Sequence, residues 1–224
     1  MIIRLFAIGI FLILQGSALA QEGPYLSGNL GMGLMDNLDG DDLASNDGRG
    51  HFDAIDVTEL GIGVVGEFAF GWDFGSHRWE LQLAFRDNDP ENLTGVQFPD
   101  KNPLVGHTRS TTFMVNGIKE IENSSNWTPY LGAGIGTALV DLKFGIQGQP
   151  SLVDETHLSF AYQLIGGIDY EVSEQWDVGL KYSFFSVFDT AFEKGPGFAV
   201  PAGLEDYEVQ YNHHSMTLGV KYRF

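Results

Sequence analysis

Four carboxylates fall within Asp36-Asn37-Leu38-Asp39-Gly40-Asp41-Asp42, and Asp47, Asp53 and Asp56 follow with Arg49 as the single base among them. Hard cations take several carboxylate oxygens from one flexible loop. Asp36, Asp39, Asp41 and Asp42 are therefore candidates for a low-affinity Ca2+ or Mg2+ site, which would bridge to lipopolysaccharide phosphates. The spacing lacks the Glu that an EF-hand loop carries at its twelfth position, and a solvated acidic loop fits the same residues. Near the other end, His213-His214-Ser215 sets a base type two residues from a nucleophile type. A serine nucleophile needs a base that is itself oriented by a carboxylate, and no Asp or Glu follows Ser215. No catalysis is expected there, and no cofactor.

Composition bounds the partners. The chain has 224 residues, with 12 Lys+Arg against 30 Asp+Glu and a net charge of −18. A nucleic-acid partner is excluded, because a phosphate backbone demands a basic face. Hydrophobic residues at 43% exclude a disordered acidic tail. The absence of Cys removes disulfide scaffolds, thiolate metal sites and Cys nucleophiles.

Residues 1–20 read as an address. Arg4 precedes an apolar run over 5–14, a polar break at 15–17 and the small-residue pattern Ala18-Leu19-Ala20. That is a secretory signal peptide with cleavage expected after Ala20, leaving 21–224 as one domain. The run is shorter than the ~20 apolar residues a spanning helix needs, and no later segment supplies them.

The remainder alternates between two textures. Eight β-like segments cover about 24–34, 57–72, 78–87, 107–118, 127–143, 158–171, 175–187 and 211–224. In the last, Met216, Leu218, Val220, Tyr222 and Phe224 share one parity, and Ser215, Thr217, Gly219, Lys221 and Arg223 share the other. Side chains alternate across a strand, so one face is apolar and the other polar. The third segment repeats this with Trp79, Leu81, Leu83 and Phe85 against Arg78, Glu80, Gln82 and Arg86.

A soluble sandwich buries the apolar face, whereas a transmembrane barrel turns it to lipid. Three features favour the membrane. The polar parity is rich in Gly (Gly132, Gly134, Gly136, Gly179, Gly219), as a narrow closed interior requires. Connections after segments 2, 4 and 6 are short and the others long, the asymmetry of transmembrane barrels. Trp72, Trp79, Trp127 and Trp176 all sit at the short-turn end, as an interfacial girdle would. The expected fold is all-β: an eight-stranded antiparallel up-and-down transmembrane β-barrel with termini and short turns in the periplasm.

The residues resemble the small eight-stranded outer-membrane barrels: the transmembrane domain of outer-membrane protein A, the OmpX-like proteins and the opacity-type surface proteins. The carriers are Gly23-Pro24-Tyr25-Leu26-Ser27-Gly28-Asn29-Leu30-Gly31, Trp127-Thr128-Pro129-Tyr130-Leu131-Gly132-Ala133-Gly134-Ile135-Gly136, and the last strand ending in Phe224. The terminal Phe is similar to the family signal read by the barrel-assembly machinery. The resemblance spans 21–224 and implies fold and outer-membrane location, with lipid and lipopolysaccharide as neighbours. It leaves the task open. With the chain ending on that strand, a peptidoglycan-binding domain is not expected.

Charges on the inward parity must be paired or wet. Glu67, Arg78, Glu80, Arg86, Asp177, Lys181, Lys221 and Arg223 form the expected lumen network, with Asp141 and Lys143 beside them. A static plug and a narrow gated ion path both fit. Three functions remain: a surface protein displaying acidic loops for adhesion, antigenic exposure or envelope integrity, with host or surface ligands; a narrow porin-like channel; and a lipid-acting enzyme, which lacks a triad.

Overall fold

The computed structural model describes residues 22–35, 38–42, 56–95, 98–121, 124–146, 153–188, 190–192, 207–209 and 211–224. Eight strands form a closed antiparallel ring in the order β1 (Gly23–Met35), β4 (Gly63–Asp73), β5 (His77–Asn88), β7 (Phe98–Glu120), β8 (Trp127–Ile146), β9 (Val153–Ser173), β10 (Trp176–Val187) and β13 (Asn212–Arg223). The ring closes between the first and last strands, where Leu30 lies opposite Leu218. Closure matters because lipid offers no hydrogen bonds to an open sheet edge. Five short strands, β2 (Leu38–Asp42), β3 (Asp56–Leu60), β6 (Pro90–Gly95), β11 (Thr190–Phe192) and β12 (Tyr207–Val209), continue the sheet away from β7 at the long-connection end.

The alternation is inside-out relative to a water-soluble protein. Leu30, Ile135 and Phe160 are at least 70% exposed, while Glu67, Arg86 and Gln163 are at most 2% exposed. The solvent of the outer face must therefore be apolar. At the short-turn end the tryptophans project outward, with Trp127 on Tyr170 at 4.7 Å between ring centroids and Trp176 on Tyr222 at 4.8 Å. A second aromatic group, unforeseen in the sequence, lies on the outer face towards the long connections: Tyr162 is 5.0 Å from Phe188, and Phe184 is 5.0 Å from His214. Aromatic rings prefer the two headgroup levels.

Three sequence expectations change. The second segment, 57–72, is not one strand: it divides into β3 and β4, and Gly61 N–H donates to the Asp89 carbonyl at the break. β3 leaves the ring to pair with β2 and β6. Strands β7, β8 and β9 extend beyond their expected ends. Asp141 and Lys143 do not enter the lumen. Val140 and Leu142 point inward instead, and Asp141 faces outward beside His107 and Thr156. Above the apolar band the outer face meets water, so the polar parity turns outward again.

Glycine sets the interior width. Gly179 lies opposite Gly219 between β10 and β13. A Cβ on Gly219 would run into the Asn29 side chain and come within 2.9 Å of the Gly28 carbonyl. Gly219→Val should therefore lower the urea midpoint of vesicle-refolded protein by about 1–3 kcal/mol equivalent through overpacking. A wild-type midpoint would mean that β1 and β13 separate freely.

Candidate functional site: the lumen and its outer rim

Inward residues occur in layers. Nearest the short turns, β5 projects Arg78 towards carboxylates from three strands. Its Nε lies 3.6 Å from Glu80, its Nη1 donates to Asp169 at 3.1 Å, and it also pairs with Glu120. The guanidinium lies 4.4 Å from the Tyr130 ring centroid, and Tyr25 donates to Glu80 at 2.7 Å. Lys221 joins the same group, at 3.0 Å from Asp169 and 2.9 Å from Asp177. Arg223 reaches Asp177 at 2.6 Å. One connected network thus replaces an apolar core at this level, Arg78, Lys221 and Arg223 each having a carboxylate partner.

Two ties cross the lumen at mid-height. Gln163 on β9 donates to Gln82 on β5 and to Asn116 on β7, both at 2.6 Å. Lys181 on β10 pairs with Glu67 on β4. Eight strands leave an interior that side chains roughly fill. A cavity of about 30 Å³ beside Arg78, Lys181 and Lys221 has room for one or two waters. Gln163→Leu should leave Gln82 and Asn116 short of partners and cost about 1–3 kcal/mol in urea unfolding; an unchanged midpoint would show that the tie is replaced by water.

Higher up, Arg86 Nη1 donates to Thr112 Oγ1 at 3.2 Å and lies over Phe185. Tyr211 donates to Ser110 at 3.3 Å. His213 bonds Asn88 at 3.1 Å and Ser215 bonds Ser183 at 2.6 Å. The His and Ser thus point inward but to separate partners, and no nucleophile–base pair forms. Met35, Val140, Leu142 and Val187 are buried beyond them.

Of the eight network candidates, Glu67 and Lys181 meet each other; Arg78 and Glu80 meet; Asp177, Lys221 and Arg223 meet; Arg86 meets no carboxylate among the described residues. Sequence reading missed Asp169, Glu120, Asn116 and Gln163. Asp169 and Gln163 share β9's inward parity with Gly167, a usable signal, but Ile165 interrupts it. Glu120 lies just past the expected end of its segment.

On the outer face, Asp87, Arg109, Asp141 and Thr156 occupy one row across β5, β7, β8 and β9. Arg109 lies 3.0 Å from Asp87, and His107 lies 3.4 Å from Asp141. The row marks the upper limit of the apolar band, which on β5 ends at Phe85. Beyond it, backbone register sets Asp39 opposite Asp56 and Asp41 opposite Glu208. Asp42 lies opposite Tyr207, whereas Asp36 is outside the described residues. Among the described residues, no group of three or more His, Asp or Glu is arranged to hold a metal.

Residues 5–224 match the family described as the outer membrane protein beta-barrel domain. The chain is 25% identical to the outer membrane protein PagN of Salmonella typhimurium, over 94% of this chain and 93% of that one. It is 27% identical to a proposed adhesin of Rickettsia massiliae, over 58% of each chain. Among solved structures, the outer membrane protein OprG of Pseudomonas aeruginosa superposes with a TM-score of 0.56 at 14% identity, over 90% of this chain and 97% of that one.

Proposed function

The chain belongs to the outer membrane protein beta-barrel domain family, and we propose that within the bacterial outer membrane it is a non-enzymatic adhesin-type surface protein whose acidic outer sheet engages a basic partner. The observation that carries this reading is the register of the rim strands. Carboxylates directly opposite one another are mutually repulsive, yet β2 sets Asp39 against Asp56 and Asp41 against Glu208. The flanking connections add Asp47 and Asp53 on one side and Glu193, Glu205 and Asp206 on the other. A surface built this way has a strong field for steering cationic groups. The adhesin naming among its relatives points the same way.

In this reading, residues 1–20 direct export, and the strand ending in Phe224 is handed to the barrel-assembly machinery. The termini and short turns lie in the periplasm. The Asp36, Asp39, Asp41 and Asp42 run takes Ca2+ or Mg2+ weakly and bridges to lipopolysaccharide. The two cross-lumen ties argue against the channel alternative.

The test is adhesion by bacteria displaying the full chain. Binding to epithelial monolayers should exceed that of bacteria displaying Asp39→Asn/Asp41→Asn at equal surface level, and should fall with rising salt. Protease added to the same cells should cut within 36–56 or 189–209 and spare 73–77 and 172–175. Equal adhesion by both strains, or steady ohmic conductance of the purified protein in a planar bilayer, would remove this reading in favour of another.

A further inference from the structure

Arg86 is 2% exposed. One of its nitrogens, Nη1, donates to Thr112; Nε and Nη2 have no hydrogen-bond partner among the described residues. A guanidinium stays charged at any physiological pH, and a buried charge without an opposite partner is among the most costly features a fold can carry. The Phe185 ring, 4.2 Å from the guanidinium, offsets part of that cost but neutralises nothing. Glu67 is the carboxylate whose field reaches Arg86, and it is already paired with Lys181. Above the mid-height ties, Arg86 is thus the one buried Arg, Lys, Asp or Glu among the described residues.

We propose that this compartment binds one small monovalent anion of the chloride class, held by Arg86 Nε and Nη2. The single excess positive charge sets the valence, because a dianion would leave the compartment with an uncompensated negative charge. The donors are N–H groups, from which a halide accepts hydrogen bonds without geometric preference. The site lies inside the barrel and is independent of the acidic outer sheet.

The experiment is urea unfolding of the full chain in lipid vesicles at fixed ionic strength, with chloride exchanged for the bulkier gluconate. The folded state of wild type should be favoured by chloride. Above half-saturation of a single site, each tenfold rise in chloride should multiply the folded-to-unfolded ratio tenfold. Arg86→Met should abolish the dependence. Should Arg86→Met not fold, wild-type crystals grown in bromide give an independent reading: an anomalous-scattering peak is expected beside Arg86. Identical wild-type unfolding in chloride and gluconate overturns the proposal. So does a chloride dependence that survives in Arg86→Met, or bromide bound elsewhere but not at Arg86.

Discussion

Replacing Arg78 by Met is expected to lower the unfolding free energy of the refolded barrel by about 3–5 kcal/mol, the range for breaking a buried ion pair from one side. The reason is what remains. Glu80, Glu120 and Asp169 all converge on this guanidinium, and only Lys221, 3.0 Å from Asp169 and 4.0 Å from Glu120, is left to serve two of them. Arg109 provides the contrast. It makes a pair of the same chemistry with Asp87 at 3.0 Å, but both side chains are half exposed. Arg109→Met should cost only ~0–1 kcal/mol. A second comparison isolates the charge: Asp169→Asn in the Arg78→Met background should recover part of the loss, because it removes one of the stranded negatives. Urea midpoints of wild type, Arg78→Met, Asp169→Asn and the double variant form a double-mutant cycle. Strictly additive losses, or a loss at Arg78 no larger than at Arg109, would mean that the lower lumen is wet enough to solvate its charges.

The reach of sequence reasoning here follows the physics of each feature. Period-two alternation is a local property, so the lipid-facing set on β5, from Trp79 to Phe85, and the Trp girdle were legible residue by residue. So was the closed antiparallel ring, since short and long connections alternate along the chain. Stagger is not local. Gln163 and Gln82 sit on strands separated by two others in the ring, and nothing in either segment says at which height its partner will arrive. The Asp141 and Lys143 assignment failed for a different reason. Polarity labels the lumen only while the outer face is in lipid. Beyond the Asp87–Arg109–Asp141 row the surroundings change, and Val140 and Leu142 take the inside. The break between β3 and β4 was hidden because Leu60, Ile62 and Val64 keep the alternation running while the hydrogen-bond partners change.

The same structure explains why an outer sheet of like charges can be tolerated. The rim strands contribute little to the ring's own ladders, and the barrel is held by its closed hydrogen bonding and by the lumen network below. Stability and display are therefore carried by different residues. Variants of Asp39 or Asp41 can change recognition without touching Arg78, Asp169 or Lys221, which is what makes the adhesion comparison interpretable.

Leu218→Arg tests the lipid boundary itself. Leu218 faces outward on β13 opposite Leu30 and Leu180, all exposed on the apolar band. It lies four residues from Tyr222, whose ring contacts Trp176 at the interfacial level. Arginine there meets hydrocarbon near the bilayer centre, at a cost of about 2–4 kcal/mol. Val220, two residues nearer the girdle, allows the long side chain to snorkel towards headgroups, so Val220→Arg should cost less. The order Leu218 above Val220 is a depth signature that simple disruption of β13 does not produce, since both positions share one strand and one face. The fraction refolded into vesicles, followed with urea midpoints where folding succeeds, reads it directly. Refolding of Leu218→Arg at the wild-type level would reverse the parity of β13, and with it the assignment of Lys221 and Thr217 to the lumen. A larger loss at Val220 would shift the hydrocarbon centre towards the short turns and move the girdle out of the headgroup level.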